Sequence, residues 1–134
     1  MKLLAYEVDK RSFLGVLNED ETWVYPVSAA GMEYRSMKDL IREAGPSEME
    51  MLDYISKKMP GDVTGAASVE EIKVVSPIAE PDQDIICLGI NYMDHAKESA
   101  RFQKEEFSKP EKAIYFSKRV NRTNDPDGII PAHK

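Results

Sequence analysis

Asn91, Tyr92, Asp94, His95 and Glu98 lie within the nine residues that follow the apolar run Ile85 to Leu88 and its terminal Gly89. An apolar strand that stops on glycine and turns at once into side chains able to carry protons is a place to look for chemistry. His95 and Glu98 are three apart, so on a helical turn they are neighbours on one face. A carboxylate beside an imidazole raises its basicity and fixes its orientation. That combination suits a general base that takes a proton from water or from carbon at neutral pH. Asp94 points elsewhere on such a turn. Gly89 allows a tight turn or a close approach of the backbone to a ligand, and Asn91 at the strand end can hold the turn that follows. A solvated surface pair has the same His-x-x-Glu spacing, so the spacing alone does not decide.

A second group of candidates closes the later apolar run "AIYFSK". Lys118 and Arg119 there can meet a negatively charged group, the arginine as a bidentate clamp on a carboxylate, or can simply carry a strand end into water. Cys87 sits inside an apolar run and reads as a reduced, buried, structural thiol. His133 has no acid close by in sequence. No zinc, iron-sulfur, calcium or phosphate-loop pattern is present.

The elements that must position these groups follow from periodicity. Residues 2–27 read as a three-stranded antiparallel meander: "LLAYEV", "SFLGVL" and "TWVYPV" are rich in β-branched and aromatic residues and are divided by turn formers. Trp23 and Tyr25 share one strand face as packing residues. The period then changes. Ser36 with Asp39 has the form of a capping box, and Met37, Leu40, Ile41 and Ala44 define one face of a helix over 37–44. Gly45 and Pro46 are expected to stop it. A second helix is expected over 48–58, opened by Ser47 and Glu50, with Leu52, Ile55 and Met59 as its buried stripe until Pro60 and Gly61. Residues 61–83 read as a connector with a short "IKVV" run. "DIICLG" is then a short buried strand, "AIYFSK" another, and Asp125 to Gly128 a turn. The fold class expected is α+β, with an N-terminal α+β region over 1–81 and a second, incomplete domain over 82–134.

Composition bounds the function. Eighteen Lys and Arg stand against 24 Asp and Glu, a net charge of −6, which argues against binding a phosphate backbone. Lys2 is followed by only a few apolar residues before Glu7 and Asp9, so no signal peptide or membrane span is read. With one cysteine, the expected location is the cytoplasm. At 134 residues the chain builds a core but has little left for a deep, closed pocket.

The segment "DIICLGINYMDHAKES", followed by "KPEKAIYFSKRVN" and "DGIIPAHK", resembles the opening of the catalytic domain of the fumarylacetoacetate hydrolase family. The strands, two helices and "VVSPIAEPDQ" before it resemble the N-terminal region of that family's bacterial members. The resemblance implies a mixed β-sandwich roll, commonly dimeric. It also implies a Mg²⁺- or Mn²⁺-dependent enzyme that hydrolyses, decarboxylates, hydrates or isomerises small diketo or 2-keto acids. His95 would be the active-site histidine, Glu98 its partner acid, residues 99–110 a lid, and Lys118 the lysine facing the substrate or the developing enolate oxygen. Asn91, Tyr92 and Arg119 would contact the substrate; Arg119 stands where the family often has proline. The family's metal ligands, a Glu-x-Glu pair and a later aspartate, would fall beyond Lys134. The chain is thus expected to be the first part of a longer enzyme, inactive by itself, and to associate with itself or with the remaining segment. The competing class is a non-catalytic acidic domain that binds a protein partner.

Overall fold

The computed structural model describes residues 1–89, 112–130 and 132. The fold is α+β: a curled antiparallel sheet with two helices. The chain divides into two compact units, one formed by Met1–Ala79 with Thr123–Lys134 and the other by Glu80–Arg122.

In the first unit, β1 (Leu3–Val8), β2 (Arg11–Leu17) and β3 (Trp23–Pro26) form the expected meander. The β1–β2 turn places Asp9 and Lys10 at φ 50° and 65°. Two consecutive positive φ values are what a tight hairpin turn needs to match the twist of its strands. The next connection is organised by Asn18, whose Oδ1 accepts hydrogen bonds from the Thr22 and Trp23 amides at 2.9 and 3.0 Å. Two further strands, β4 (Ala67–Ser68) and β5 (Lys73–Val75), complete a sheet of order β4-β3-β2-β1-β5. The segment expected as a connector therefore supplies both edges of the sheet. Its strands are too short for an alternation to register in sequence, and β5 pairs with β1, far back along the chain.

Helix α1 (Met37–Glu43) begins as expected. Ser36 Oγ accepts from the Asp39 amide at 3.1 Å and donates to the Asp39 carboxylate at 2.8 Å. Helix α2 (Pro46–Ser56) begins earlier than expected. Pro46 opens it instead of stopping its predecessor, because proline at the first helical position has no amide to satisfy and a φ already set for the helix. Glu48 accepts from the Gly45 amide at 3.1 Å. Met37, Leu40, Leu52 and Ile55 pack with Val16, Tyr25, Val27 and Val63 in the main core. Ile41, 62% exposed, and Met59, 71% exposed, fall outside the stripe assigned to them; Met59 lies beyond the end of α2. The Tyr25 hydroxyl crosses this core to donate to the Lys58 carbonyl at 2.7 Å.

The other face of the sheet has its own cluster: Leu4, Tyr6 and Val24, with Val8, Leu17, Ala67, Ile72 and Val74 against them. Here the sheet curls onto itself around Gly15. A Cβ at Gly15 would sit 2.8 Å from Tyr6 Cε1 and closer still to Val24 Cγ2. Tyr6 also stacks on Phe13, with ring centroids 5.5 Å apart.

At Thr123 the chain returns to this first unit. The Thr123 amide donates to the Ala79 carbonyl at 2.8 Å, and the expected turn closes with the Gly128 amide on the Asp125 carbonyl at 3.0 Å. Among the described residues no helix is long and apolar enough to cross a membrane.

Gly15→Ala is expected to destabilise the chain by about 1–3 kcal/mol, since neither Tyr6 nor Val24 has room to withdraw. Gly61→Ala, with nothing within 4 Å of the added carbon, is expected to stay within about 0.5 kcal/mol of the parent. Urea denaturation distinguishes the two, and equal costs would refute the packing account.

Burial raises the Tyr6 phenol, and burial followed by the nearby Asp62 charge raises that of Tyr25. Their folded values lie above the unfolded one of about 10, so their contribution to stability is intact below that pH and is lost as pH rises through the folded values. A phenolate absorbance titration should show both tyrosines ionising late, together with unfolding. Simultaneous ionisation of all the tyrosines near the ordinary value in a folded chain would contradict it.

Candidate functional site

The second unit contains an antiparallel ribbon, β6 (Ile85–Gly89) paired with β7 (Ile114–Lys118). Both expected apolar runs are thus strands, and the register is Ile85 with Lys118, Cys87 with Phe116, and Gly89 with Ile114. Side chains directly opposite share a face. One face therefore carries Ile85, Cys87, Phe116, Ile114 and Lys118, and the other carries Ile86, Leu88, Tyr115 and Ser117.

Both faces are apolar and open. Ile86 is 74% exposed and Tyr115 68%, and Ile85, Leu88, Ile114 and Phe116 are exposed as well. The expectation of a buried strand at "DIICLG" is corrected accordingly: its apolar character is real, but no described layer covers it. Cys87 is corrected for the same reason, being half-buried instead of fully buried. Gly89 is a regular strand residue without a positive φ, and a Cβ there would make ordinary contact, 3.4 Å from Ile114 Cγ2. Gly89 is thus the last residue of the strand, and the turn expected after it lies outside the described residues.

Of the sequence candidates, Lys118 ends β7 and Arg119 follows it, both exposed. Lys118 shares its face with Cys87 and Phe116 and lies opposite Ile85, at the end of the ribbon away from Gly89. Asn91, Tyr92, Asp94, His95, Glu98 and the 99–110 segment expected as a lid lie outside the described residues, as does His133. Among the described residues no group of three His, Cys, Asp or Glu side chains is placed to hold a metal ion.

In the first unit one ion pair shows displaced titrations. Lys57 holds the Asp53 carboxyl below its usual range through a 2.6 Å hydrogen bond and has its own ammonium raised in return. This is an exposed pair at helical spacing and reads as helix support.

Sequence reasoning missed a polar cluster at the junction of the two segments that build the first unit. Ser76, Thr123 and Asp125 join residues 47 to 49 apart. Each is an ordinary turn or loop residue locally, so no periodicity or motif could have marked them.

No family profile matches the chain. It is 28% identical to oxaloacetate tautomerase YisK of Bacillus subtilis (strain 168), over an alignment of 144 residues that takes in the whole of this chain and 46% of that protein. The chain spans about half the length of the curated relative it matches.

Proposed function

We propose that this chain is the N-terminal part of a fumarylacetoacetate hydrolase family enzyme that moves a proton on a small 2-keto acid. The similarity to an oxaloacetate tautomerase of that family, running the length of the chain, carries the reading. It also favours isomerisation over the hydrolysis and decarboxylation that the sequence motifs leave equally open. The ribbon adds support: two strands apolar on both faces are the interior of a larger sheet assembly, not a finished surface.

In keto-enol exchange His95 removes a proton from the carbon next to the keto group, and the electron pair of that C–H bond moves onto the carbonyl oxygen. The proton is then delivered to that oxygen, giving the enol with no net loss or gain of atoms. Glu98 orients the imidazole and stabilises its protonated form, as a neighbouring carboxylate does. Lys118 faces the oxygen that gains charge, and its ammonium stabilises that charge most strongly once the apolar strand face is covered and loses solvent. Asn91, Tyr92 and Arg119 contact the substrate, Arg119 through a carboxylate. Magnesium or manganese, when bound to the longer protein, would polarise the keto acid. The described residues offer no carboxylate set that fits such an ion; the Glu-x-Glu pair and later aspartate that the family resemblance implies would hold it. The setting is the cytoplasm, and the product of the whole gene is a homo-oligomer.

In the isolated chain, the two uncovered faces of the ribbon are expected to drive self-association. Light scattering should give a mass above the single-chain 15.2 kDa, and Ile86→Lys with Tyr115→Lys should return it to one chain. A monomeric parent at high concentration would contradict this.

The gene's full-length product, supplied with Mg²⁺ or Mn²⁺, should interconvert the keto and enol forms of oxaloacetate or a related 2-keto diacid. The 134-residue chain should not. His95→Ala should lower turnover by about 10²–10⁴-fold, the worth of a general base. Glu98→Gln should cost about tenfold, equivalent to about one unit in the basicity of its partner. Undiminished turnover by the His95 variant would refute its assignment, and metal-dependent turnover by the 134-residue chain would refute the claim that it is one part of the enzyme.

A further inference from the structure

The polar cluster left unexplained above lies where the second unit leaves and rejoins the first. The Thr123 hydroxyl is 2.9 Å from the Ile78 carbonyl and 3.4 Å from that of Ala79. Carbonyls only accept, so the single Thr123 hydroxyl proton is committed to them. The Ser76 hydroxyl, 2.5 Å from Thr123 Oγ1, is therefore the donor in that pair. The Ser76 amide donates to Asp125 Oδ1 at 2.9 Å. Asp125 Oδ2 lies 3.6 Å from Lys73 Nζ on β5, which lies 3.6 Å from Glu7 on β1. With the Thr123 amide on Ala79, one continuous network within the first unit runs from the sheet edge to Ala79 and Thr123, the two residues that flank Glu80–Arg122 in the chain.

We infer that Ser76, Thr123 and Asp125 form a latch that pins the two ends of this unit together and act as positioning residues for Lys118; the positioning role rests on the function proposed above. Only residues 80–84 separate Ala79 from the ribbon, and only residues 119–122 separate Lys118 from Thr123. At about 3.3 Å per extended residue, Lys118 is tethered within roughly 17 Å of the latch. The Ile85–Lys118 pair and the Ala79–Thr123 bond close a small ring, with just one residue more on its first side than on its second. Such a ring resists slippage of β7 along β6, and a slip of one residue would carry Lys118 to the opposite face. A two-stranded ribbon alone is marginally stable in water, so the closure at its base is what fixes its register.

The test uses Thr123→Val, which keeps the shape and the amide but loses the hydroxyl, with Thr123→Ser as the rescue and Ser76→Ala as an independent cut. In the 134-residue chain, amide hydrogen exchange of β6 and β7 should quicken about tenfold in Thr123→Val, as expected for one lost hydrogen bond within a local opening unit. Amides of β1 and β2 should hold, Thr123→Ser should restore the ribbon, and Ser76→Ala should behave like Thr123→Val. Unchanged ribbon exchange in both cut variants, or acceleration spread evenly over both units, overturns the latch. In the full-length protein Thr123→Val should lower kcat about tenfold with little change in KM, and Thr123→Ser should stay near the parent. An exchange effect with unaltered kinetics overturns the positioning role. No turnover by the unmutated full-length protein overturns the proposed function and the positioning role with it, while the exchange experiment still decides the latch.

Discussion

A sheet with two apolar faces must find two covers, and the first unit finds the second of them at a single bare position. Helices α1 and α2 cover one side. On the other, Tyr6 and Val24 close over Gly15, where no side chain stands between them. This close approach lets the sheet curl and shelter Leu4, Tyr6 and Val24 without a further layer. The short strands β4 and β5 then extend the same curve at its edges.

The ribbon meets the same requirement with none of these means. It has two strands, apolar residues on both sides and no glycine placed for a fold-over; its Gly89 has ordinary space around it. No layer among the described residues covers it. The location of Lys118 on such a surface also has an electrostatic sense. An ammonium bordered by Phe116 and Cys87 loses solvent as soon as another layer arrives, and its attraction for any nearby negative charge rises with that loss.

Much of this was legible in the sequence. The meander, the Ser36 cap, both helices and both ribbon strands declare themselves through local period and punctuation. Pro46 was misread because proline marks a helix start as readily as a stop, and only the Glu48 reach back to Gly45 separates the two. Strands β4 and β5 were missed because two or three residues carry no period and their partners lie far off along the chain. Burial at Ile86 and Cys87 was misjudged because sequence shows apolarity, not what covers it. Of the candidate site, Lys118 and Arg119 were legible as a charged strand end. The Ser76, Thr123 and Asp125 network was not, since its members meet only through the return of the chain.

That return has a modular consequence. The Glu80–Arg122 unit enters and leaves through backbone atoms hydrogen-bonded to each other, Ala79 to Thr123 at 2.8 Å. In topological terms it is a cassette: a piece whose two ends meet at one point can lengthen, shorten or be exchanged while the host keeps its strand order and its core. A scaffold of this kind lets the inserted segment change independently of the sheet that carries it.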